Sequence, residues 1–174
     1  GAWTINTGPQ PWSVQFESIR RILQQSKMKG VATQLFINPY HAEYLTAIQL
    51  SGLWGLFEKW KYRLAKLAQS ESTPLWDFSG YNAYSTENID DISKKGVSLN
   101  WFWEPAHYRQ ELGDIMLSNM LRKHCPQTDT VTQFGVKLDL SNIEQHLNSL
   151  RLAKETYLTT HELVINRFTK FIRR

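Results

Sequence analysis

Two short apolar runs, each closed by polar residues, constrain the fold of this chain most strongly. The first, Val31–Ile37, ends at Asn38, and the second, Leu75–Phe78, ends at Ser79. Short, mainly apolar runs of this length, bounded by turn residues, are typical of buried strands. Helical stretches precede, separate and follow the two runs. Strands that alternate with helices predict an α/β fold with a layer of parallel sheet.

Helical spacing of apolar residues accounts for much of the remaining chain. The predicted helices cover Val14–Lys27, His41–Gln49, Leu53–Gln69, a stretch from Pro105 to about His124, Asn142–Leu150 and Ala153–Phe171. Pro105 suits a first helical turn, because its missing N–H would have no partner there. That fourth stretch carries apolar residues on one helical face, at Leu112, Ile115, Met116 and Met120. The preceding Tyr81–Leu99 lacks periodicity and is predicted to be a long surface loop.

Composition and charge exclude several classes of protein. The 174 residues suffice for one domain with a real core. The net charge of +4 is mild and much of it lies at the chain end, which argues against a nucleic-acid interface. The single cysteine, Cys125, excludes an intramolecular disulfide framework and a cysteine-based zinc site. No run approaches the roughly 20 apolar residues of a membrane span. We therefore expect no metal, no cofactor, no nucleic-acid partner and no membrane span.

Polar side chains follow both predicted strands. Asn38, Tyr40 and His41 come after the first strand, and Asp77 and Ser79 lie at the end of the second. Ligands of parallel sheets bind at the carboxyl ends of the strands, so these five residues are predicted to contact substrate. Two simpler interpretations stay open: His41 can open the following helix, and Ser79 can bond its own turn backbone.

A carboxylate and an imidazole three residues apart form the second candidate site. Glu104 and His107 can converge on one point, as in hydrolases that orient a general base with a carboxylate. Alternatively, Glu104 caps the predicted helix. Asp77 can hydrogen-bond the imidazole of His107 or cap a turn. Trp103 lies in an aromatic lead-in, where one ring is expected to face a cleft and contact substrate.

Four segments carry a resemblance to known proteins. They are LFINPYHAEYL (Leu35–Leu45), GLWGLFEKWKYRLAKL (Gly52–Leu67), LWDFSGYNAYSTEN (Leu75–Asn88) and WFWEPAHYRQELGDIML (Trp101–Leu117). They resemble uncharacterised bacterial proteins associated with exopolysaccharide loci, which are similar to the SGNH hydrolase superfamily. The resemblance implies a partial flavodoxin-like, three-layer parallel sheet with few strands, plus C-terminal helices. It also implies that His107 is the general base and Glu104 its orienting carboxylate, in a place where Asp is usual.

The nucleophile of that superfamily follows its first strand, and residues 1–30 of this chain contain no strand-then-Ser block. The resemblance therefore implies that residues 1–174 are one domain and a fragment, the second half of an SGNH-like domain with a helical extension over 134–174. It implies an esterase or O-acyl transferase that acts on a cell-surface polysaccharide or acylated glycan, in the periplasm or cell envelope.

Two other interpretations stay open. One is a non-catalytic domain that keeps the scaffold and binds glycan or protein through its aromatic-lined cleft. The other is a homo-oligomer that completes its small sheet through an exposed strand edge.

Overall fold

The computed structural model of the chain describes residues 14–88, 99–121, 134–162 and 165. In chain order the elements are α1 (Val14–Met28), β1 (Leu35–Ile37), α2 (Ala42–Leu50), α3 (Trp54–Ser70), β2 (Leu75–Asp77), β3 (Phe102–Glu104), β4 (His107–Tyr108), α4 (Gln110–Met120), β5 (Val136–Leu138) and α5 (Ile143–Thr160). The fold is therefore of the mixed α/β class, as the sequence predicts. No helix in the described ranges is both long enough and apolar enough to cross a membrane.

The main sheet has the strand order β1-β2-β5. β1 and β2 are parallel, with Leu35 opposite Leu75, as expected for two strands joined by helices. β5 runs antiparallel to β2, with Val136 opposite Asp77, so the sheet is mixed rather than parallel throughout. β5 is not recognisable from the sequence, because a three-residue strand with one buried side chain leaves no periodic signal. Part of the predicted helical extension over 134–174 thus completes the sheet.

The residues around Pro105 form a hairpin, and the predicted helix start there is wrong. β3 and β4 pair antiparallel, with Glu104 opposite His107, and Pro105 lies in the turn between them. Proline suits an early turn position as well as a first helical turn, because both need its fixed φ. The helix begins only at Gln110. The pairing is irregular between Phe102 and Glu104, which leaves Trp103 as the extra, bulged residue.

Helices cover both faces of the main sheet, because alternate strand residues point to opposite sides. On one face, residues of β1, β2 and β5 pack against α2, α3 and α5, through Ile37, Leu45, Leu64, Leu75, Leu138 and Leu147. On the other, the end of β2 packs against the hairpin and α4, through Phe78, Phe102, Leu112 and Met116. The predicted apolar stripe of α4 is thus confirmed as a core face.

The remaining element boundaries differ modestly from the prediction. α1, α2 and α3 agree with the predicted helices to within one or two residues at each end. β1 takes up only the last three residues of Val31–Ile37. α5 runs unbroken through the break predicted near residue 151. Parts of three predictions lie outside the described residues: the loop over 89–98, the helix end near His124, and the helix beyond residue 165.

Candidate functional site

The hairpin turn brings the predicted acid–imidazole pair together. Oε1 of Glu104 contacts Nδ1 of His107, and Oε2 accepts a hydrogen bond of 2.9 Å from the N–H of Ala106. Both side chains face solvent, at 49% exposed for Glu104 and 79% for His107. The Ala106 N–H, together with the hydrogen bond and charge of His107, lowers the pKa of Glu104. The carboxylate is therefore ionised near neutral pH.

The position of Glu104 fixes which nitrogen of His107 carries the proton. An ionised carboxylate can only accept a hydrogen bond, so Nδ1 must be the protonated nitrogen. In the neutral ring Nε2 is then an unprotonated acceptor. Because the side chain is mostly exposed, this atom is accessible from solvent. Such an imidazole can remove a proton from a hydroxyl group or a water molecule.

Backbone contacts place this hairpin beside the carboxyl ends of the parallel strands. The carbonyl of Pro105 accepts a hydrogen bond of 3.0 Å from the N–H of His41, in the segment that follows β1. The Glu87 carboxylate, in the segment that follows β2, accepts hydrogen bonds of 2.8 and 2.9 Å from the N–H groups of Asn100 and Trp101. The segments after both strands therefore hold the hairpin in place.

His41 lies nearby with both ring nitrogens engaged inside the protein. Its Nδ1 accepts a hydrogen bond of 3.2 Å from the N–H of Glu43, which caps α2. Its Nε2 must then carry the proton, and it donates to the carbonyl of Glu87 at 2.8 Å. Burial lowers the pKa of His41, so the ring is neutral. These contacts match the interpretation in which His41 opens the helix, and its contact with substrate stays a prediction.

Two further predicted substrate residues lie in the same segment. Asn38 is exposed, and its side chain hydrogen-bonds Tyr40. The Tyr40 ring stacks on Tyr44 at 4.9 Å between ring centroids, and burial raises its pKa. Both residues lie close to His41 in sequence, and the described contact of the Tyr40 ring is with Tyr44 of α2. Whether either contacts a substrate stays a prediction.

Asp77 and Ser79 belong instead to a second, buried cluster with Lys61 and His146, hereafter the buried network. Oδ2 of Asp77 accepts hydrogen bonds from Nζ of Lys61 at 2.7 Å and from Nε2 of His146 at 2.9 Å. Oδ1 accepts from the N–H and the hydroxyl of Ser79, at 2.8 and 2.7 Å. Asp77 therefore neither contacts His107 nor lies free at the strand end.

The buried network is electrostatically complete. Burial by itself would raise the pKa of Asp77, but the Lys61 ammonium and the hydrogen bond from His146 outweigh it, and the pKa lies below its ordinary value. Nζ of Lys61 donates to Oδ2 of Asp77 and, at 2.6 Å, to the hydroxyl of Ser79. The Ser79 hydroxyl directs its own proton to Oδ1 of Asp77, so Lys61 is not placed as a base toward it. The cluster therefore joins β2 to α3 and α5.

The sequence analysis missed two members of this network and one support of the hairpin. Lys61 lies on the apolar face of α3 and is buried there with Leu64. His146 lies on a stretch that reads as solvated, yet its side chain is only 10% exposed. Glu87 falls in the predicted surface loop. A lysine within a helical apolar stripe was the one available signal, because buried lysines need an acidic partner.

A groove of about 630 Å³ lies away from the acid–imidazole pair. Its lining includes Gln34, Pro74 and Trp76, at the amino ends of β1 and β2, together with Lys27 and Lys137. Neither member of the pair lines it. Across the ranges that the structure describes, no three His, Cys, Asp or Glu side chains converge as metal ligands.

Comparison of the chain with protein-family models, curated proteins and solved structures gives no match in any of the three.

Proposed function

We propose that this chain supplies the base of an esterase or O-acyl transferase that acts on a cell-surface polysaccharide in the periplasm or cell envelope. The observation that supports this is the Glu104–His107 pair. It couples an ionised carboxylate to an exposed imidazole, beside the segments that leave two parallel strands. The resemblance of the surrounding segments to bacterial proteins similar to the SGNH superfamily, inferred from the sequence alone, implies the same roles for the two residues.

The proposed reaction uses a serine hydroxyl from a segment outside this chain. As that oxygen attacks the acyl carbonyl, Nε2 of His107 takes the hydroxyl proton. The tetrahedral intermediate collapses, the carbon–oxygen bond to the sugar breaks, and His107 returns the proton to the departing sugar oxygen. Water or a second sugar hydroxyl then attacks the acyl-serine in the same way. Glu104 holds the ring orientation and stabilises the imidazolium formed in each half-reaction.

The described serine at the end of the sheet does not fit the role of nucleophile. Ser79 is 5% exposed, and its hydroxyl donates to Asp77 while it accepts from Lys61. An activated nucleophile instead needs its proton directed toward a base and open access to substrate. The nucleophile of the proposed reaction is therefore a serine other than Ser79, in another segment.

The test is hydrolysis of p-nitrophenyl acetate by the full-length gene product and its variants. We expect His107→Gln to lower kcat/KM by about 10²–10⁴-fold, because general-base assistance is lost. Glu104→Gln should lower it by roughly 10²-fold or more, because the ring loses its orienting carboxylate. Asp114→Asn replaces an exposed carboxylate on α4 and serves as the matched control. Equal rates in all four proteins would overturn the proposal.

A second measurement locates the nucleophile. A fluorophosphonate probe labels activated serines, and peptide mass spectrometry then identifies the labelled residue. We expect the label on a serine outside this chain and its loss in His107→Gln. Labelling of Ser79 would contradict the assignment.

A non-catalytic glycan- or protein-binding domain is the second candidate function. The observation that favours it is the exposed ring of Trp103, which stands beside the hairpin turn. In the described ranges the side-chain contact of His107 is with a carboxylate, that of Glu104, and not with a nucleophile. Polysaccharide binding without His107-dependent hydrolysis would favour this function.

A further inference from the structure

An exposed tryptophan and a partly exposed arginine pack together next to the acid–imidazole pair. Trp103 is 67% exposed, which is unusual for so large an apolar side chain. The guanidinium of Arg109 lies over its ring, with the central carbon 4.1 Å from the ring centroid. Trp103 directly precedes Glu104 in the chain. A single sugar chain could therefore contact both Trp103 with Arg109 and the acid–imidazole pair.

Local backbone geometry directs both side chains. Trp103 is the bulged residue of β3, and a bulge re-aims a side chain out of the regular alternation. Arg109 follows β4, and its N–H donates to the carbonyl of Trp101 at 2.8 Å. Its Nη1 donates to the carbonyl of Leu99 at 2.7 Å, which fixes the plane of the guanidinium. The arrangement is therefore held by the hairpin itself.

The guanidinium has unused hydrogen-bonding capacity. Nε is buried and has no hydrogen-bond partner. The nearest carboxylate, that of Glu111, lies 3.8 Å from Nε, beyond hydrogen-bond distance, and its side chain is 62% exposed. An arginine carries five N–H donors in a planar fork, which suits a carboxylate better than any neutral group. Nε itself is closed to a ligand, so a ligand carboxylate would approach Arg109 through the 22% of its side chain that is exposed, in competition with Glu111.

We propose that Trp103 and Arg109 form a binding platform for an anionic sugar unit, such as a uronic acid. The proposal rests on the proposed function and specifies its substrate class as an acidic polysaccharide. The apolar face of a sugar ring packs against the exposed face of Trp103, while the sugar carboxylate accepts hydrogen bonds from Arg109. The acyl ester on the same or the next sugar then lies beside His107.

The test is a calorimetric titration of the full-length protein with three probes: de-esterified oligogalacturonate, a neutral oligoxylan of equal length and polyglutamate. We expect oligogalacturonate to bind most tightly. Arg109→Gln should weaken it by about tenfold or more, as expected for hydrogen bonds to a charged group. Arg109→Lys should recover part of the loss, because it restores the charge without the planar fork.

Trp103→Ala keeps the proposal testable even if Arg109 variants fold poorly, because an exposed ring contributes little to stability. It should weaken both oligosaccharides, whereas Lys66→Gln, an exposed cation on α3, should weaken neither. If polyglutamate bound most tightly, the ligand of this site would be an acidic peptide rather than a sugar, and the proposal would be overturned. Equal binding of the neutral oligoxylan, or no effect of Trp103→Ala and Arg109→Gln, would overturn the platform.

The two proposals fail separately, since the titration involves no turnover. If binding depended on Arg109 but hydrolysis did not depend on His107, the binding platform would stand and the acyl-transfer function would be rejected. His107-dependent hydrolysis beside Arg109-independent binding would do the reverse.

Discussion

Among the residues that the structure describes, two carboxylate–imidazole pairs lie in opposite environments. Asp77 and His146 meet in the interior, where Lys61 and Ser79 satisfy the remaining oxygen positions of the carboxylate. Glu104 and His107 meet on an exposed hairpin, where Nδ1 of His107 contacts Glu104 and Nε2 takes no part in that contact. The same two functional groups therefore serve different purposes. In the buried network both oxygens of the Asp77 carboxylate are occupied by contacts within the fold, whereas on the surface one nitrogen of His107 stays available for chemistry.

The difference follows from the cost of burying charge. A buried carboxylate without partners would be strongly unfavourable, so the interior pair is stable only as part of a complete network. The exposed pair is solvated by water and needs no further partner. We therefore expect substitutions in the buried network to change stability and substitutions in the hairpin pair to change activity.

The largest effect on stability is expected from Lys61→Met, which removes the ammonium and leaves a buried carboxylate without its main counter-charge. The free energy of unfolding should fall by about 3–5 kcal/mol. Urea denaturation followed by tryptophan fluorescence measures it. Lys66→Met changes an exposed lysine on the same helix and should alter the free energy by less than about 0.5 kcal/mol. Similar losses for the two lysines would show that the buried ion pair does not stabilise the fold.

A smaller loss is expected from His146→Ala, because Asp77 keeps its other partners. Loss of one hydrogen bond to a buried charged group should cost about 1–3 kcal/mol, measured by the same denaturation. Gln145→Ala removes an exposed side chain from the neighbouring position of α5 and is the control. If both variants unfold alike, the helix rather than the network sets the stability here.

The pH dependence of stability distinguishes the two carboxylates. Because the pKa of Asp77 is lowered in the folded state, its contribution is present above the unfolded pKa of about 3.9 and is lost as pH falls through the folded pKa. The free energy of unfolding should therefore decrease on acidification below about pH 5, and less steeply in Asp77→Asn. Glu104→Gln should leave the slope almost unchanged, because that carboxylate is half exposed. If Glu104→Gln reduced the pH dependence of the free energy of unfolding more than Asp77→Asn does, Glu104 rather than Asp77 would be the carboxylate that couples stability to pH.

The smallest effect on stability is expected from His107→Gln, since its side chain is 79% exposed. Its melting temperature should match that of the wild type, with a change in free energy below about 0.5 kcal/mol. The large loss of activity expected for the same variant would then reflect chemistry. A loss of stability as large as that of His146→Ala would instead identify the hairpin pair as structural.

Several parts of the fold were readable from the sequence because local patterns encode them. Helical spacing located α1, α2 and α3, and the apolar stripe through Leu112 and Met116 identified the buried face of α4. The two apolar runs located the parallel pair β1 and β2. The spacing of Glu104 and His107 was enough to bring the two side chains together, although in a hairpin turn rather than a helix.

The hairpin and β5 were not readable, since both depend on pairing with distant residues. Pro105 is compatible with a turn and with a helix start, and only the pairing of Phe102 with Tyr108 decides between them. β5 is a strand because β2 offers it an open edge, which three residues of local sequence cannot reveal.

By itself, the sequence determined the mixed α/β class, most helix positions and one acid–imidazole pair, because these depend on residues close together in the chain. The tertiary structure decided which polar residues are buried and which remain available. Lys61, Asp77 and His146 come from three separate elements, and only their packing makes them one network. Burial and charge compensation are properties of that packing, so local sequence cannot distinguish the carboxylate that supports the fold from the one proposed to support a reaction.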